Sequence, residues 1–120
     1  MTEHRRVVEA FASAATSGDL TALIRVLDPD VVLISDGGGL VTSARRPVIG
    51  ADRVARFLLG VVAKGQPGDV IDRVVVNGTP GFAVYQQGEL VTIVSVTVAD
   101  GRVARLDLVR APAKLPRLAR

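Results

Sequence analysis

The residues with chemical potential in this sequence gather at the end of one apolar run. Val31-Val32-Leu33-Ile34-Ser35 leads to Asp36 and then to Gly37-Gly38-Gly39. A carboxylate delivered by an aliphatic strand has its charged form disfavoured by burial, which suits a general base removing a proton beside a carbonyl. The same residues have a plainer reading. Asp-Gly is common turn chemistry, the carboxylate accepting from a backbone amide two residues on. The turn reading is preferred, and Asp36 is kept as the candidate catalytic residue. The three glycines could cradle an anion with their amides. They lack the lysine and following helix of a phosphate loop, so turn permissiveness is the preferred account.

Other side chains could also carry chemistry. Asp107 would make an acid/base pair with Asp36 only if both faced one pocket. Strand alternation puts Val103, Arg105, Asp107 and Val109 on one face, and Ala104, Leu106, Leu108 and Arg110 on the other. Asp107 is therefore expected to face out and pair with Arg105 or a partner chain. Tyr85 could donate a hydrogen bond to a developing enolate, or simply satisfy its hydroxyl on a neighbour. Arg46, beside Arg45, could hold an anionic ligand or bridge to Asp52 or Asp36. His4 is the only histidine and there is no cysteine, so no metal site, cofactor or disulfide is expected.

These side chains need elements to position them. Val7, Val8, Phe11, Ala12 and Ala15 recur at helical spacing and predict a helix over residues 3 to 17. Gly18 ends it and Asp19 caps a second helix carrying Leu20, Leu23, Ile24 and Leu27. Asp28-Pro29-Asp30 is expected to stop that helix before a strand beginning at Val31. Leu40–Ala44 reads as a return strand. Val54, Phe57, Leu58, Val61 and Val62 mark a third helix from about Ala51 to Lys64, in which Gly60 points to close packing. Four strands follow: 70–76, 82–86, 89–99 and 102–110, with turns at Gln87-Gly88 and Asp100-Gly101.

This order predicts an α+β fold: a cone-shaped, curved antiparallel sheet of about six strands with three helices on its concave face. Such a cone encloses a pocket. Its expected ligand-binding residues are Phe11, Ile34, Asp36, Arg46, Phe57 and Tyr85. The outer sheet face, with Val74, Val76, Val94 and Val96 as candidates, looks too aliphatic to be solvated and predicts a homodimer through the sheet.

Composition sets the outer limits. The 120 residues make one domain, 1–120, with 111–120 as a polar basic tail. No apolar run approaches the roughly 20 residues of a membrane span. The amino terminus is charged and unlike a signal peptide, so a cytoplasmic, non-membrane protein is expected. Net charge is +3, and from Arg102 onward six basic residues face one acid. With three phenylalanines and one tyrosine, no aromatic platform for bases is apparent, and direct nucleic-acid contact is not expected.

Ser17-Gly18-Asp19-Leu20, Leu27-Asp28-Pro29-Asp30-Val31-Val32-Leu33 and Ile49-Gly50 resemble the nuclear transport factor 2-like, or cystatin-like, superfamily. Within it the sequence is similar to the SnoaL-like branch of polyketide cyclases, ketosteroid isomerases and limonene epoxide hydrolases. Three stretches carry a narrower likeness. Ser35–Gly39, Arg46–Phe57 and Leu108–Leu115 resemble the carboxy-terminal SnoaL-like domain of certain extracytoplasmic-function sigma factors. That domain usually has a lysine after its glycines, where Leu40 stands, and ends Asn-Pro-Asp-Lys-Leu, where Ala111 and Ala113 replace the polar members. The promoter- and polymerase-binding regions that normally precede it have no counterpart among these 120 residues. The chain is thus expected to be a free-standing relative, a fragment or a recruited domain.

The resemblance implies a non-catalytic module that binds a small hydrophobic ligand, or contacts sigma-factor regions or RNA polymerase, in transcription regulation. Gly37, Gly38, Gly39, Lys114 and Leu115 are its implied partner-contact residues. The alternative it implies is a small isomerase, cyclase or epoxide hydrolase. Asp36 would be the base there, with Arg46 or Tyr85 stabilising negative charge.

Overall fold

The computed structural model describes residues 2–36, 47–65, 68–76, 78–110 and 118–119. The first helix, α1 (Thr2–Ser17), buries Val7, Val8, Phe11, Ala14 and Ala15 on one face. Its carbonyls are satisfied at the end by a paired motif: Gly18 N–H donates to Ala15 and Asp19 N–H to Ala14. Asp19 then caps α2 (Leu20–Val26), its carboxylate accepting from the Ala22 amide at 3.0 Å. The cap and the turn expected at this point are both present.

Leu27 ends α2 and at once begins β1 (Leu27–Asp36), four residues earlier than the pattern predicts. Asp28-Pro29-Asp30 lies inside the strand. Pairing with β6 (Arg102–Arg110) shifts between Leu27 and Val32. Asp28 accepts from the Asp30 amide at 2.8 Å. Proline lacks a ladder donor and is tolerated at such an irregularity, so it interrupts the strand without ending it.

Beyond β1, the described elements are β2 (Val48–Ile49), α3 (Ala51–Ala63), β3 (Val70–Val76), β4 (Thr79–Gln86), β5 (Glu89–Ala99) and β7 (Leu118–Ala119). They form one sheet in the order β2-β1-β6-β5-β4-β3-β7. Pairing is antiparallel except between β1 and β6, which run parallel, a departure from the all-antiparallel expectation. The return strand expected at 40–44 lies outside the described residues; the antiparallel neighbour observed for β1 is β2, with Val32 opposite Ile49. The β5–β6 turn has positive φ at both Asp100 and Gly101, as the tight hairpin requires.

Two single-residue bulges bend the sheet over its helices. Tyr85 pairs with Leu90 while Val84 pairs with Thr92, so Val91 is the extra residue of β5. Val98 pairs with Val103 while Thr97 pairs with Arg105, so Ala104 is the extra residue of β6. Bulges add twist and curvature to an antiparallel pair. The second one also resets alternation. Val103 belongs to the helix-side core with Leu106 and Leu108, and not to the face of Arg105 and Asp107.

The main core lies between the helices and the inner sheet face and includes Leu23, Leu27, Val31, Leu33, Val54, Val96 and Leu106, each 1% exposed or less. Among the described residues no polar side chain is buried. A second cluster on the outer face joins Val74, Val76, Ala83 and Ile93, with Tyr85, Leu90 and Val109 packed against it. Two expectations are corrected here. Val94 and Val96 pack under the helices, so they are not outer-face residues. Gly60 is exposed, and a methyl group in place of its hydrogen would meet nothing within 4 Å, so close packing does not account for it.

Candidate functional site

Three helices cannot fill the hollow side of a sheet this curved, and a cavity of about 750 Å³ remains at one end. Phe11 and Ala15 of α1 form one wall, and Phe57, Leu58 and Val61 of α3 form another. The floor comes from the inner face of the sheet: Ile71 of β3, Phe82 and Val84 of β4, Val94 of β5 and Leu108 of β6. Phe11 and Phe82 meet with ring centroids 6.1 Å apart at a 33° tilt, which anchors α1 to the sheet. The Val91 bulge lets adjacent residues Val91 and Thr92 both reach the cavity.

Polar groups occupy the rim. Lys64 and Gly65 come from the carboxy-terminal end of α3, Asp69 from the approach to β3, Gln86 from the end of β4 and Arg110 from the end of β6. The Gln86 side-chain amide donates to Asp69 at 3.4 Å. The hydroxyl of Thr16, also on the wall, donates to the Ala12 carbonyl at 2.9 Å. Phe57, Val62 and Ile71, each at least 36% exposed, stand at this opening as apolar surface. The arrangement suits an apolar body surrounded by hydrocarbon, with charged and amide groups offered by the exposed lining residues Lys64, Gln86 and Arg110.

Of the candidates singled out from the sequence, Phe11 and Phe57 line this cavity. Ile34 and Tyr85 do not: Ile34 pairs with Asp107 on the far side of β1, and Tyr85 packs against the outer cluster. Asp36 closes β1 with its backbone in register with Val109. Arg46, Gly37, Gly38, Gly39, Lys114 and Leu115 lie outside the described residues. Asp107 faces out and pairs with Arg105, with contacts of 2.9 Å to each carboxylate oxygen. The hydrogen bond to Asp107 and the adjacent negative charge raise the Arg105 pKa further. Asp52 pairs with Arg56 one helical turn on.

Lys64, Gln86, Thr92 and Arg110 were not among the sequence candidates. Arg110 was legible in principle, since alternation along β6 puts it on the face of Leu106 and Leu108. Lys64 and Gln86 were not, because nothing local says that the ends of α3 and β4 converge. Among the described residues no cluster of acids or histidine is arranged to hold a metal ion. No described helix is long and apolar enough to cross a membrane.

This geometry, three helices packed on a curved and mostly antiparallel sheet with an apolar hollow, is the nuclear transport factor 2-like, or cystatin-like, fold. Known proteins of that fold superpose on it. An ntf2-like protein of unknown function from Mesorhizobium loti does so with a TM-score of 0.63 at 13% identity, over 92% of each chain. A steroid delta-isomerase from Pseudomonas aeruginosa gives 0.69 at 19% identity, over 93% of this chain and 82% of its own. No protein-family model matches the chain.

Sequence similarity narrows the class to relatives of extracytoplasmic-function sigma factors. The chain is 34% identical over 113 residues to the ECF RNA polymerase sigma factor SigJ of Mycobacterium tuberculosis, covering 86% of this chain and 36% of SigJ. It is 28% identical over 113 residues to the probable ECF sigma factor SigI of the same species, covering 94% of this chain and 37% of SigI. The crystal structure of SigJ superposes with a TM-score of 0.72 at 31% identity, over 93% of this chain and 43% of that one. The chain therefore spans little more than a third of the length of the curated relatives it matches.

Proposed function

We propose that this chain is a non-catalytic SnoaL-like regulatory module that takes a small hydrophobic ligand in its cavity and contacts sigma-factor regions or RNA polymerase. The observation that carries the reading is the 34% identity to SigJ across 86% of the chain. The apolar cavity supports the ligand half: its volume falls within the roughly 300–1,000 Å³ of small-molecule sites. A role beside RNA polymerase also puts the chain in the cytoplasm.

The enzymatic alternative rests on Asp36 as base and on a hydrogen-bond donor beside the substrate, and its suggested donor Tyr85 packs on the outer side. Self-association through the sheet has less to drive it than the sequence suggests, because Val74 and Val76 are already buried within one chain.

The partner half is tested by immobilising the 120-residue chain and passing over it purified sigma-factor regions and, separately, core RNA polymerase. Saturable binding of either is the expected result, and retention of neither sets the partner half aside. Turnover of a simple ketosteroid that is lost in Asp36→Asn would replace the regulatory reading with the enzymatic one.

A further inference from the structure

The cavity has an electrostatic polarity that the hydrophobic-ligand reading does not use. Its walls are aliphatic and aromatic, but two cationic side chains, Lys64 and Arg110, line its rim. They come from the ends of α3 and β6, elements far apart in sequence, and no ion-pair partner for either is found among the described residues. The one carboxylate among the described lining residues, Asp69, accepts the Gln86 amide. Other arginines of the chain have carboxylates in hand: Arg56 with Asp52, Arg73 with Glu9 and Arg105 with Asp107.

We propose that the cavity takes an amphipathic carboxylate, its apolar body against Phe11, Phe57, Phe82 and Leu108 and its head group at the rim cations Lys64 and Arg110. This inference rests on the ligand half of the function proposed above. A carboxylate bound to the Arg110 guanidinium makes two parallel hydrogen bonds, and the ammonium of Lys64 on the same cavity adds a second positive charge. The body would cover the exposed apolar surface of Phe57, Val62 and Ile71 that otherwise faces water at the opening. A neutral apolar ligand would gain the same burial but nothing from the cations. A cationic one would meet two like charges against the single carboxylate of Asp69.

The test compares three ligands that share a tail and differ in the head: decanoate, decanol and decylamine. Each is titrated calorimetrically into the 120-residue chain, below the concentration at which decanoate forms micelles. Decanoate is expected to bind at least about tenfold more tightly than decanol, and decylamine more weakly than either. In the double variant Lys64→Gln, Arg110→Gln the decanoate preference should vanish while decanol affinity stays within about twofold. Both residues are exposed, so the variant should fold, which its far-ultraviolet dichroism and urea midpoint verify. Equal affinity for decanoate and decanol overturns the carboxylate assignment while leaving the hydrophobic cavity in place, as does a preference that survives the double substitution. Binding of none of the three sets aside the ligand half of the proposed function together with this inference.

Discussion

Gly50 enters α3 at φ 104° and ψ 142°, a backbone conformation open in practice only to glycine. From there its N–H reaches the Val31 carbonyl at 2.9 Å, while its own carbonyl receives the Val54 amide. One residue thus ties the start of α3 to the middle of β1. Gly50→Ala should cost about 1–3 kcal/mol, read as a lower urea midpoint at unchanged slope. Gly60 presents the opposite case. It sits in the helical body of α3, exposed, with open space where a methyl group would go. Gly60→Ala should raise stability by roughly 0.5–1 kcal/mol, and a loss of stability there would mean that another surface packs on that turn. The exposed Arg105–Asp107 pair belongs to the surface, and Asp107→Asn should move stability by no more than about 1 kcal/mol.

At the scale of elements, the two bulges matter more than any single contact. Val91 and Ala104 each add one residue to a strand without adding one to its partner, and the sheet bends around them. Straight strands would let α1 and α3 close on the sheet and leave no hollow. Capping works at the same scale. Asp19 accepts from the third amide of α2, a helix of only seven residues whose stability depends on its ends and its packing. Asp19→Ala should therefore cost about 1 kcal/mol, measurable as a shift in thermal midpoint that Asp19→Asn or Asp19→Ser largely restores. Arg73 of β3 reaches Glu9 of α1 and adds an ion pair across the partly open side of the helix layer.

For the whole molecule, stability and binding are held by different residues. Leu106 is fully buried in the inner core and does not line the cavity, and Leu106→Ala should cost about 2–5 kcal/mol. Phe57 is 36% exposed and lines the cavity, so its truncation removes little from the core. Phe57→Ser should lower the affinity for decanoate severalfold in calorimetry while the urea midpoint falls by much less than in Leu106→Ala. Equal sensitivity of both measurements to both substitutions would argue that the cavity is core lining, with no separable binding role.

Much of this architecture is written locally. Helical spacing in Val7, Val8 and Phe11, the Gly18-Asp19 junction, and Asp100-Gly101 each depend on near neighbours, and each appears where those neighbours require it. The overall α+β arrangement follows from the order of such pieces, and the resemblance to sigma-factor SnoaL-like domains is carried by particular stretches such as Arg46–Phe57. What tertiary structure alone decided is which residues share a space. Alternation assigned Val103 to the outer face because a period of two cannot register a bulge, and aliphatic character alone put Val94 on a dimer surface because it does not say which face of the sheet the helices cover. Tyr85 was a reasonable pocket residue until the sheet turned it to the other side. Lys64 and Arg110 line one cavity for the same reason in reverse: the ends of a helix and a distant strand are set around it by the closure of the cone, which no local pattern encodes.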